Sequence, residues 1–121
     1  MKFLPRVIFK FSCAFKGLGI AFSTDNSFKV HFAVGVILIA LGFFSHLQLW
    51  EWGVLIIALG LVVISELFNT AIEYLVKLFT QEYHELAEKL LDIAAGAVLF
   101  ASFIALSLGA LVFIPRFIGL F

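Results

Sequence analysis

Residues 53–64 form an unbroken run, Gly-Val-Leu-Ile-Ile-Ala-Leu-Gly-Leu-Val-Val-Ile, without one polar side chain. Two comparable apolar tracts flank it, residues 32–44 and 93–114. Segments of this kind match the roughly 20 apolar residues that a helix needs to cross a bilayer. Inside lipid the backbone must satisfy its own hydrogen bonds, which selects helices for such segments. Hydrophobic residues make up 64% of the 121 and charged residues 13%, against about 45–50% and about 25% in soluble domains. So short a chain cannot hide the excess in its own interior. The sequence therefore specifies an all-α integral membrane protein, a single membrane domain over residues 1–121.

Within it, residues 28–44, 53–79 and 85–114 read as helices containing three spans, and residues 3–22 as something else. At 100° per residue, Lys2, Arg6, Lys10 and Lys16 share an arc of about 120°. Phe3, Leu4, Val7, Ile8, Phe11, Phe15, Leu18 and Phe22 fill the opposite side. A basic face against a Phe-rich face predicts an amphipathic helix lying in the membrane surface. Arg6 and Lys10 also interrupt the apolar core that a secretory leader requires. Residues 23–27 supply a break and several N-cap candidates. Residues 45–52 read as a short turn with Trp50 and Trp52 as interfacial anchors, and the last helix ends at Pro115. Seven of the eight basic side chains (all but Arg116) precede the first span or flank the loop in the 80s. The positive-inside rule then sets the N-terminus and that loop in the cytoplasm.

Glu66, Asn69 and Glu73, spaced i, i+3, i+7, lie within about 60° of one helix face over roughly 10 Å. Ionisable groups beside an apolar span mark functional sites by default. Glu73 and Lys77 alone read first as a solvated face where the helix leaves the membrane. Glu66 follows directly on Leu61-Val62-Val63-Ile64-Ser65 and does not. Asp25 and Asp92 are expected at the same depth, so carboxylates of three segments converge on one membrane surface. Oxygen ligands of this sort suit Mg²⁺ shared with substrate phosphates. No P-loop or protein-kinase signature is present. The balance of 8 basic and 8 acidic residues points to no nucleic-acid partner, and the single Cys13 excludes an internal disulfide. His31, His46 and His84 are too dispersed for zinc and read as polar interfacial residues. Residues 94–97, Ala-Ala-Gly-Ala, form a small-residue patch for close helix packing.

These residues fall into a recognisable order. Glu66-Leu67-Phe68-Asn69-Thr70-Ala71-Ile72-Glu73, Glu82-Tyr83-His84 and Asp92-Ile93-Ala94-Ala95-Gly96-Ala97-Val98 resemble the bacterial diacylglycerol kinase / undecaprenol kinase family. Ala14-Phe15-Lys16-Gly17-Leu18 and Asp25-Asn26-Ser27-Phe28-Lys29-Val30-His31 resemble its N-terminal half. The resemblance covers nearly the whole chain. It implies a small homotrimer in the bacterial cytoplasmic membrane, with a surface helix and three spans per subunit. It also implies transfer of the ATP γ-phosphoryl group to a lipid alcohol.

Carried over by position, the resemblance makes Glu66 the catalytic base and Asn69 a residue lining the reaction centre. Asp25 and Glu73 become the pair holding Mg²⁺, with Glu73 and Asp92 toward nucleotide and Arg6 and Lys16 toward nucleotide or lipid. The departure is Leu91, where the family usually has Lys. Lys89, about 60° from Asp92 on a helix, is the candidate replacement. A metal-dependent lipid phosphatase and a non-catalytic membrane homologue are the rival readings, the second motivated by Leu91. The acceptor, diacylglycerol or undecaprenol, is not encoded in any motif.

Overall fold

The computed structural model describes residues 2–119. Four helices follow in order: α1 (Phe3–Thr24), α2 (Asn26–Phe44), α3 (Leu49–Phe79) and α4 (Glu85–Phe117). No strand occurs among the described residues. By length and apolarity each of the four is able to cross a membrane. α3 and α4 form the main packed pair, α2 lies on α3, and α1 touches α2 and α3 while burying only Ala21.

Caps set the boundaries. Asp25 leaves helical geometry and its Oδ1 accepts the amides of Ser27 (2.9 Å) and Phe28 (3.3 Å), separating α1 from α2 by one residue. The start of α3 differs from the sequence expectation. The helix begins at Leu49, not Gly53, because Gln48 and Glu51 form a capping box that folds the expected turn into the first helical turn. The end of α4 differs too, since the helix continues through Pro115 to Phe117. Proline removes one amide donor there, and Arg116 secures the final turn by bonding to Glu51 and to the Ser45 carbonyl.

Leu55, Val112 and Phe113 form the core at this end, with Leu38, Leu41, Leu47 and Trp52 packed around them. α2 buries Phe28, Gly35 and Gly42, spaced by seven residues along one face. A Cβ at Gly42 would lie 2.8 Å from the Trp52 ring and 3.0 Å from Leu47, whereas one at Gly35 would meet Leu59 at an ordinary 3.5 Å. Gly42→Ala should therefore destabilise by about 1–3 kcal/mol through overpacking. Gly35→Ala should be neutral or gain up to about 1 kcal/mol in helix propensity. Unfolding in detergent micelles checks the contrast; equal effects at the two glycines would contradict it.

Candidate active site

One line of α3 side chains is buried from end to end: Glu51, Leu55, Ala58, Val62, Glu66 and Thr70. Steps of three and four keep them on one face. The middle of the line is apolar and each end carries a carboxylate, about 22 Å apart for 15 residues of helix.

At the Glu66 end, polar groups from α2, α3 and the α1–α2 junction meet. Glu66 is 2% exposed. His31, in the second turn of α2, brings Nδ1 to 2.8 Å from Glu66 Oε1, though off the line of a good hydrogen bond, and Oε2 has no partner. The Asp25 carboxylate is an electrostatic neighbour of Glu66. Asp25 does two jobs: Oδ1 caps α2, and Oδ2 accepts the Thr70 hydroxyl at 2.6 Å. Tyr74 adds a weaker tie, its hydroxyl donating to Thr24 at 3.3 Å. The junction before α2 is thus fixed to α3 beside Glu66. One turn on, Asn69 Nδ2 donates to Glu73 Oε1 at 3.0 Å, and both side chains are half-buried.

The four carboxylates expected at one place fall into two groups. Asp25 and Glu66 come together, with Glu73 two turns along α3. Asp92 is exposed on α4 and lines a separate polar recess of about 690 Å³ with Lys77, Tyr83, His84, Glu88 and Leu91. The Tyr83 hydroxyl donates to Glu88 at 2.6 Å. That bond foremost, with partial desolvation and the nearby Asp92 charge, holds its pKa above the usual phenol value. Leu91 rather than Lys89 shares this recess, while Lys89 lies 3.7 Å from Glu85 on the exposed side of α4. Arg6 and Lys16 are exposed on α1. Among the described residues no group of three or more His, Cys, Asp or Glu is able to hold a metal ion unaided.

Two participants escape a reading of the sequence. His31 reads as a dispersed polar residue, yet its imidazole is against Glu66. Thr70 is assigned no role from the sequence, yet it is 6% exposed and engages Asp25. The sequence signals for them were position, since His31 lies six residues past the α2 cap and Thr70 one turn past Glu66, and their place in the two segments that carry the family resemblance.

The fold is that of a polytopic helical membrane protein with a buried, half-satisfied carboxylate, Glu66, near one end of its longest apolar line. The family model for prokaryotic diacylglycerol kinase matches residues 12–113, and the chain belongs to that family of lipid kinases. It is 38% identical over 117 residues to a diacylglycerol kinase of Synechocystis sp., covering 96% of this chain and 67% of the relative. An undecaprenol kinase of Bacillus subtilis is 34% identical over 113 residues, covering 93% and 92%. The Escherichia coli diacylglycerol kinase is 29% identical over 100 residues, covering 83% and 82%.

Proposed function

We propose that this chain transfers the γ-phosphoryl group of ATP to the hydroxyl of a membrane lipid alcohol, diacylglycerol or undecaprenol, at the cytoplasmic face of the bacterial inner membrane. The observation that carries the reading is Glu66: a carboxylate buried in a membrane helix, with one oxygen unpartnered. An apolar groove of about 710 Å³ between α2, α3 and α4, lined by Phe32, Leu38, Leu55, Leu59 and Phe113, ends at His31 beside it. A lipid tail in that groove would bring its hydroxyl to Glu66 at headgroup depth. Glu66 accepts the hydroxyl proton as the oxygen attacks phosphorus in line. Asn69, held by Glu73, lines the reaction centre.

The acidic side chains suit a Mg²⁺ that arrives with the nucleotide, since that ion needs only one or two carboxylates plus water and phosphates. Asp25 and Glu73, each within a turn or one hydrogen bond of Thr70, would hold it. Bound there, Mg²⁺ supplies neutralisation of the phosphate charge. Arg6, Lys16, Lys89 and Asp92 remain the nucleotide-side groups. Lys2 at its N-cap and the three basic residues of α1 support its lying in the cytoplasmic interface, with residues 45–48 and the end of α4 outside. A homotrimer accounts for the apolar surface that a single chain exposes, including Ile56, Ile57, Phe68 and Phe103. The open space beside Gly96 also permits close helix approach.

Purified protein in detergent, given labelled ATP and either lipid with and without Mg²⁺, should yield phosphorylated lipid only with the metal. Phosphate release from a phosphorylated lipid without ATP would favour a phosphatase, and no turnover with any substrate would favour a non-catalytic homologue. Glu73→Gln should raise the Mg²⁺ concentration for half-maximal activity by at least tenfold, the scale on which even indirect supports of a metal act. An unchanged Mg²⁺ titration would remove Glu73 from that role. Leu91→Lys sets an ammonium in the recess of Asp92, where a charge-assisted phosphate contact of about 1.5–3 kcal/mol should raise kcat/KM for ATP roughly tenfold or more. An unchanged value would mean that this recess does not receive phosphate.

A further inference from the structure

We infer that His31 is a positioning residue for Glu66: its imidazole holds Oε1 and so leaves Oε2 as the oxygen that meets the lipid hydroxyl. The inference rests on the kinase reading above.

A glutamate has three side-chain torsions and, in an apolar span, no water to steer it. Leaving a buried carboxylate without donors is costly, and a base that wanders by about 1 Å loses on the order of 10² in rate. Some donor must fix Glu66. The neighbouring polar groups on α3 are occupied elsewhere: Asn69 donates to Glu73 and Thr70 donates to Asp25. Asp25 is within hydrogen-bonding reach of Glu66, but its oxygens already accept from Ser27, Phe28 and Thr70. Two carboxylates bond only through a shared proton, which would occupy the base. Ser65 bonds back to the Val62 carbonyl at 2.8 Å. The remaining donor is His31, whose Nδ1 is at contact distance from Oε1.

The contact is short but bent, as its lack of an aligned hydrogen bond records. Rotating the ring aligns it, and catalytic hydrogen bonds commonly tighten only when substrate is bound. A carboxylate partner also selects the form of the imidazole that carries a proton on Nδ1. His31 is 30% exposed and lines the apolar groove. The group that orients the base therefore also stands where the lipid would enter.

The test compares His31→Leu, His31→Asn, Glu66→Gln and the double variant Glu66→Gln/His31→Leu, using labelled ATP and a lipid alcohol. His31→Leu should lower kcat by roughly 10–100-fold, the scale for orienting partners, with KM for ATP unchanged. His31→Asn keeps a donor near the Nδ1 position and should restore most of that loss. The double variant should be no slower than Glu66→Gln alone, because an orienting group has nothing left to orient. An unchanged kcat in His31→Leu, a His31→Asn enzyme as slow as the leucine variant, or additive losses in the double variant would each overturn the inference. If His31→Leu does not fold, His31→Asn and its double with Glu66→Gln decide by the same two criteria. Full activity of Glu66→Gln would instead remove Glu66 as the base, whatever His31 does, and absence of lipid phosphorylation by the parent enzyme would defeat the underlying kinase reading.

Discussion

Glu66→Gln should cut lipid phosphorylation by about 10²–10⁴-fold while leaving nucleotide binding largely intact. That range corresponds to about 2.7–5.4 kcal/mol of transition-state stabilisation. Glutamine has nearly the same shape, and its amide oxygen still accepts from His31. Packing around a side chain that is 2% exposed should thus survive. What disappears is an oxygen able to take the lipid proton. Glu66→Asp probes the same point independently, because it keeps the charge and withdraws it by one methylene from Oε1's contact with His31. A displacement of about 1 Å costs on the order of 10² in rate, so the aspartate variant should also be slow. Steady-state kinetics with ATP titration, together with a nucleotide-binding measurement, checks both. A glutamine enzyme within a few-fold of the parent would remove Glu66 from the role of base.

Apolar length alone exposed the helical membrane fold, since only a helix satisfies its backbone in lipid within one such continuous apolar segment. The site was partly legible for a related reason. A carboxylate one residue past twelve apolar residues is conspicuous at Glu66, and Asp25 stands where a cap is needed.

Other features depend on which helix faces which, and a helical period does not encode that. The i, i+3, i+7 stripe put Glu66 with Asn69 and Glu73. In the fold the buried line runs from Glu66 to Thr70, and Asn69 and Glu73 sit half-exposed beside it. Only the approach of α2 decides between these two neighbouring faces. His31 is 35 positions from Glu66 in sequence and has no periodic relation to it. Lys89 and Leu91 show the same limit on α4: both angles about Asp92 were readable, but not which side the 80–84 segment covers.

The same limit hid the pair with the largest expected effect on stability. Glu51 and Arg116 are 65 residues apart, and each looked unremarkable alone: one a polar residue in a turn, the other the lone outer cation. Glu51 is completely buried, and Arg116 reaches it with two guanidinium nitrogens while a third donates to the Ser45 carbonyl at 3.0 Å. Removing one partner leaves a buried charge uncompensated, at a cost of about 3–5 kcal/mol. Arg116→Met should accordingly unfold at markedly lower denaturant or temperature in micelles. Glu51→Gln separates the two roles of that residue, since the amide oxygen can still cap Gln48, a contribution of about 1 kcal/mol. Glu51→Leu loses both and should be the less stable of the two. The double variant Glu51→Leu/Arg116→Met should recover most of the loss, because no buried charge remains. The recovery should stop short of the parent: the Gln48 amide and Ser45 carbonyl lose their partners and must be met by interfacial water. Glu66 lies about 22 Å along α3 from Glu51, so kcat of the folded fraction should stay constant through the whole series. Strictly additive losses in the double variant would show that the two residues do not act as a pair. A cost below about 1 kcal/mol for Arg116→Met would show that the C-terminal end of α4 is held by Val112 and Phe113 packing alone.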